Sequence, residues 1–143
     1  NSFNTSKEFI KNNYLSGFQL ETFDKMINYY KTNTRGILNI CCRMGKTRIS
    51  LCYVRYKQFN NVVIFVPANV LLEQWKESIK FILPNYNIVI FTPSNKNIDE
   101  TKNKTIYIYH YGNYKYFSNN YTYDYIMFDE VHYITSINLI EKE

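Results

Sequence analysis

Gly36-Ile37-Leu38-Asn39-Ile40-Cys41, running into Cys42-Arg43-Met44-Gly45-Lys46-Thr47, is the stretch whose reading decides the fold. The run from Gly36 to Cys41 is apolar and reads as a buried strand. Arg43-Met44-Gly45 is a turn, and a helical pattern follows from about Lys46 to Gln58. A strand that ends in a glycine turn and opens a helix leaves backbone N–H groups pointing at one spot. The helix N-terminus adds a partial positive charge there, so the turn is built to cradle an anion, phosphate above all. In such a turn Lys46 reaches the terminal phosphates and the Thr47 hydroxyl holds Mg²⁺. The general pattern has a further Gly five positions before Gly45, where this chain has Ile40.

The same alternation extends along the chain and predicts a parallel α/β sheet. Upstream, Leu20, Phe23, Met26, Ile27 and Tyr30 recur at helical spacing, in a helix that Thr32-Asn33-Thr34 ends. Downstream, Val62 to Val66 is a strand that stops at Pro67, and Val70 to Ile82 is a helix with Leu71, Leu72, Trp75 and Ile79 on one face. Further strands are expected at Asn87–Phe91, Thr105–Tyr109 and Tyr125–Asp129, with a polar surface loop over 92–104. No internal repeat or linker splits the chain, which reads as one domain over residues 1–143.

Composition narrows the function. Apolar residues make up 45% and aromatic ones 18%, enough to fill a core. The net charge of +5 suits a polyanionic partner without requiring one. No apolar run approaches the roughly 20 residues of a membrane helix, and Asn1-Ser2-Phe3-Asn4 offers no signal peptide, so an intracellular location is expected. The absence of an initiator Met suggests a processed chain or a piece of a longer one. Cys41, Cys42 and Cys52 form no metal-binding spacing and read as free thiols. Nineteen Asn, seventeen Ile and fifteen Tyr beside a single Ala suggest an AT-rich genome, as in some viruses and parasites.

A second chemical signal lies 83 residues after Lys46, where Asp129-Glu130-Val131-His132 follows an apolar strand. A carboxylate at the C-terminal end of a strand beside the phosphate turn can hold Mg²⁺. The adjacent Glu can then orient and deprotonate an attacking water.

Taken in order, Phe18-Gln19, Cys42-Arg43-Met44-Gly45-Lys46-Thr47, Val66-Pro67 with Leu72-Glu73-Gln74-Trp75, and Asp129-Glu130-Val131-His132 resemble the Q motif, motif I, motif Ia and the DEVH-type motif II of superfamily-two helicases and translocases. The resemblance covers roughly residues 15 to 136 and corresponds to the first of that family's two RecA-like lobes. It implies a RecA-like P-loop domain with a mostly parallel sheet flanked by helices on both faces.

By this resemblance, Gln19 hydrogen-bonds the adenine edge and Phe18 packs beside the base. Arg43, Met44, Gly45, Lys46 and Thr47 hold the phosphates of ATP, while Thr47 and Asp129 hold Mg²⁺. Lys46, Asp129 and Glu130 carry catalysis, and His132 couples the nucleotide to the other lobe. Pro67, Ala68 and Asn69, with His110, Tyr111 and Gly112, contact DNA or RNA through its phosphates. Two positions depart from the family pattern: Arg43 stands where motif I usually has Gly, and Ser16 where the Q motif often has Arg.

The implied function is the ATP- and Mg²⁺-binding lobe of a nucleic-acid-dependent ATPase, with a second lobe outside this chain. Because an arginine supplied across such a site is worth about 10³–10⁵ in rate, this lobe alone is expected to hydrolyse ATP slowly. The alternatives are an inactive nucleic-acid-binding scaffold that keeps the fold, and a P-loop ATPase that does not act on nucleic acid. Tyr109, Tyr111, Tyr114 and Tyr116 with Lys115 could stack bases, but tyrosine is abundant in this chain and the reading adopted for them is packing on the sheet. Trp75 is read as a core anchor.

Overall fold

The computed structural model describes residues 3–33, 45–66, 69–92, 104–110, 112–113, 117 and 123–128. Two compact units make up the chain, Asn1–Gln58 with Glu77–Asn85, and Phe59–Lys76 with Tyr86–Glu143.

The first unit is helical. Helix α1 spans Lys7–Tyr14, and its N-cap Ser6 accepts the Phe9 N–H at 3.2 Å. Only Ile10 of this helix is fully buried. Helix α2, Phe18–Tyr29, buries Phe23, Met26 and Ile27, the stripe that its periodicity predicts. Helix α3, Lys46–Lys57, is buried from Ile49 to Arg55, which is why its apolar pattern is not confined to one face.

Arg55 is the hub of this unit. Although only 4% exposed, its guanidinium donates to the Asn4 carbonyl (2.8 Å), the Tyr14 hydroxyl (3.1 Å) and the Ile82 carbonyl (2.6 Å). It also lies 3.9 Å from the centroid of the Phe3 ring. A buried cation is tolerated only when its donors are satisfied. Here they tie Asn4, Tyr14 and Ile82 to α3.

The second unit is built on a sheet. Strand β1 is Asn61–Val66, β2 Asn87–Ile90, β3 Thr105–His110 and β4 Tyr125–Phe128. The order is β2-β3-β1-β4 and every pairing is parallel. The central strands β1 and β3 are buried almost throughout, as expected of a parallel sheet. One face is aromatic: Phe65 stacks on Phe128 at 5.1 Å, Tyr109 stacks on Phe91 at 4.4 Å, and Phe117 meets both Phe65 and Tyr109 edge-on. Tyr109 is therefore a core residue, as the packing reading holds. At the other end of the strands, the Asp124 carboxylate accepts the Asn60 and Asn61 N–H groups at 2.7 and 3.2 Å, pinning the start of β4 to that of β1.

Helix α4, Asn69–Ile82, follows β1. Trp75 and Ile79 are buried, in agreement with the expected apolar face. Among the described residues no helix is long and apolar enough to cross a membrane.

The expected elements within the described residues are all present, with ends shifted by a residue or so. Helix α1 is the addition. The expected strand over 36–41 lies outside the described residues, as do most of the loop at 92–104 and of the stretch at 111–123.

Candidate functional site

Helix α3 starts where the sequence places it. Gly45 caps it in the left-handed conformation, φ 86° and ψ 25°, a region that glycine enters without steric cost. The Gly45 carbonyl accepts the first intrahelical bond, from Ile49 at 2.9 Å. The amides of Lys46, Thr47 and Arg48 precede that bond and point out of the N-terminal end of the helix. Gly45 has no side chain with which to cap this end, and no acidic residue lies in the first turn. Nothing within the helix therefore offsets the positive end of its dipole. Lys46 and Thr47, both half-buried, sit there.

Gln19 lies directly on this turn. A Cβ added at Gly45 would run into the Gln19 amide nitrogen and lie 3.0 Å from its Cδ. Gln19 is the second residue of α2, and its Oε1 accepts the Ser16 N–H at 3.0 Å. The bend that delivers it is made by Gly17, whose φ of 59° and ψ of −135° suit glycine alone. Phe18, beside Gln19, is 39% exposed. The fold thus brings together four residues singled out from two distant motifs: Gln19 and Gly45 in contact, with Lys46 and Thr47 following Gly45.

This arrangement fits a nucleotide. The Gly45 turn and the N-terminal end of α3 are suited to phosphates, and an amide with an exposed aromatic neighbour is suited to a base edge and face. Arg43 and Met44 lie outside the described residues.

In the second unit, the C-terminal ends of the parallel strands line up: Val66 pairs with His110, and Phe65 with Phe128. The segments beginning at Pro67, Tyr111 and Asp129 each follow directly from these ends, where an open α/β sheet presents its loops to ligands. Pro67, Ala68, Tyr111, Asp129, Glu130 and His132 lie outside the described residues.

Asn69, expected in a loop, is the first residue of α4, and His110, also expected in a loop, is the last residue of β3. Both shifts follow from regular hydrogen bonding continuing past the apolar run that marks each element. The His110 Nδ1 accepts the Gly112 N–H at 3.1 Å, which orients the ring and leaves Nε2 as the donor in the neutral form. Gly112 has little spare room, since an added Cβ would lie 3.3 Å from Nδ1.

Sequence reasoning overlooked Arg48 and Arg55. The Arg48 guanidinium donates to the Tyr14 carbonyl at 3.2 Å and lies 5.5 Å from the centre of the Phe81 ring. Neither partner is near it in sequence, so no local pattern could have shown it. Cys52, on the same helix, is fully buried, and burial pushes its thiol up to about 12 despite the opposing effect of Arg48 and Arg55. It is an inert core residue.

An all-parallel sheet, together with a helix opened by Gly-Lys-Thr in a left-handed turn, defines an α/β P-loop protein of the RecA-like kind. The chain belongs to the family described as type III restriction enzyme, res subunit, which matches residues 9–142. This makes it a helicase-like, ATP-binding motor domain, of a class that generally uses ATP and Mg²⁺. Among curated proteins, none matches the chain.

Proposed function

We propose that this chain is the first RecA-like lobe of an ATP-driven helicase or translocase acting on DNA or RNA, and that it works with a second lobe. The observation that carries this reading is the contact between Gln19 and Gly45. It sets a group able to read the adenine edge against the turn that would hold phosphates, which a scaffold or a nucleotide-independent fold has no need to do.

In this reading Gln19 and Phe18 take the adenine. Arg43, Met44 and Gly45 with the first amides of α3 hold the phosphates, and Lys46 neutralises the terminal one. The Thr47 hydroxyl and the Asp129 carboxylate hold Mg²⁺, which supplies charge neutralisation between the phosphates. Glu130 orients and deprotonates the attacking water, and His132 couples the nucleotide to the second lobe. Pro67, Ala68, Asn69, His110, Tyr111 and Gly112, at the C-terminal ends of β1 and β3, touch the nucleic-acid backbone. The register of those two strands supports grouping them.

The test is Mg²⁺-dependent binding of a fluorescent ATP analogue to the chain and to its Lys46→Ala and Gln19→Ala variants. Loss of binding in both variants, with GTP competing poorly, is the expected result. Binding that neither substitution touches, or no binding by the wild type, refutes the assignment.

A further inference from the structure

We propose that Phe81, flanked by Arg48 and Lys80, is a base-stacking platform for single-stranded nucleic acid on the first unit. It is separate from the strand-end loops assigned above, and it rests on the reading of the chain as a nucleic-acid motor lobe.

Three observations carry it. The first is exposure. Ile79 and Ile82 of α4 face the core, whereas Phe81 is 55% exposed, more than Phe18 or Tyr29.

The second is rigidity. The Tyr14 ring meets Phe81 edge-on at 5.2 Å and 85°, and the Arg48 guanidinium lies 5.5 Å from its centroid. Arg48 is held in turn by its bond to the Tyr14 carbonyl. An aromatic ring fixed in this way loses little entropy when a base stacks on it, and the guanidinium over the ring sets a cation beside the stack.

The third is charge. The first unit carries eleven Lys and Arg against four Asp and Glu, and the second carries six against eight. The whole basic excess of the chain therefore resides on the unit that presents Phe81. An exposed aromatic beside a guanidinium and next in sequence to Lys80, on a basic body, suits a strand whose bases stack while its phosphates run alongside. A duplex keeps its base faces covered and gains only from the phosphates. Glu77, one turn before Phe81 on the same helix, is exposed and opposes phosphate approach.

The test is fluorescence anisotropy of a labelled oligothymidylate with the 143-residue chain across a salt series. Phe81→Ala should weaken binding about tenfold without changing the salt slope, and Phe81→Trp should restore it. Lys80→Ala should reduce the slope by about 0.7. Glu77→Gln should tighten binding, and a duplex of equal length should compete poorly. Binding of the ATP analogue by Phe81→Ala should be unchanged.

Wild-type affinity in Phe81→Ala overturns the proposal while leaving the motor reading intact. No oligonucleotide binding by the wild type overturns both. Loss of self-association in Phe81→Ala with oligonucleotide binding retained would reassign the patch to protein contact and also overturns it. Oligonucleotide binding that depends on Phe81, in a chain that fails to bind the ATP analogue, upholds the platform and sinks the motor reading.

Discussion

Gly45→Ala perturbs the contact on which the functional reading rests, and two separable costs can be worked out for it. At φ 86° a residue with a Cβ is strained by about 1–2 kcal/mol. The new methyl also meets the Gln19 amide. That amide is the far end of a flexible side chain, so it swings aside rather than forcing the backbone apart. Its displacement gives up the bond from the Ser16 N–H, worth about 0.5–1.5 kcal/mol. The single variant should therefore be about 2–3 kcal/mol less stable than wild type in urea unfolding. In a Gln19→Ala background the collision is gone and only the strain remains, so Gly45→Ala should then cost about 1–2 kcal/mol. The coupling of about 1 kcal/mol is what a double-mutant cycle isolates. Additive costs within about 0.3 kcal/mol would show that Gln19 does not rest on the turn, and would remove the support for base reading next to the phosphate site.

Three further outcomes are expected. Arg55→Ala should destabilise the chain by about 3–5 kcal/mol in urea, because it removes bonds from a charged donor worth about 1.5–3 kcal/mol each; Arg55→Lys, lacking the planar fork, should recover less than half. Asp124→Ala should cost about 1–2 kcal/mol through the two amides left at the start of β1, and Asp124→Asn should cost less, as one acceptor remains. Stability should fall as pH rises above about 9, by up to about 1.4 kcal/mol per pH unit for each group involved. Cys52 is held protonated up to about 12 in the folded chain, so the unfolded chain ionises first and gains. Urea midpoints at pH 8 and pH 10.5 should diverge less in Cys52→Ala than in wild type.

Much of the fold could be read from residue patterns, for reasons visible in particular elements. Strand β1 is Asn61-Val62-Val63-Ile64-Phe65-Val66 and is buried at every position, so an unbroken apolar run marks it. Helix α2 shows its stripe because one face alone is buried. Helix α1 was missed because a single buried side chain, Ile10, leaves no periodicity to detect. Its local signals are the Ser6 cap and Glu8 in the first turn, and its anchoring comes from Arg55, more than forty positions away. The phosphate turn was legible as Gly-Lys-Thr after a strand. Its contact with Gln19 was not, since it depends on a bend at Gly17 that closes a gap of 26 residues. The setting of Phe81 was not legible either. It falls outside the apolar face of Leu71, Leu72, Trp75 and Ile79, and its contacts with Tyr14 and Arg48 come from distant parts of the sequence.

The two ends of α3 do different work, and the difference is built into its sequence. At its start Gly45 sets a left-handed turn, acidic residues are missing from the first turn, and Lys46 and Thr47 follow; each of these raises anion affinity at some expense to helix stability. At its end Arg55 and Lys57 complement the negative pole of the dipole, and Arg55 locks the helix to the Asn4 and Ile82 carbonyls. The helix rises about 1.5 Å per residue, so these ends lie about 14 Å apart, beyond the range over which substitutions usually couple. A rigid anchor at one end holds the helix while the other end keeps the left-handed turn at Gly45. It follows that Arg55→Lys should lower stability while leaving the affinity for an ATP analogue, measured well below the unfolding midpoint, unchanged within about twofold. Lys46→Ala should do the reverse. An affinity that falls in step with stability in Arg55→Lys would mean that the phosphate turn depends on the far anchor, and that α3 transmits strain along its length.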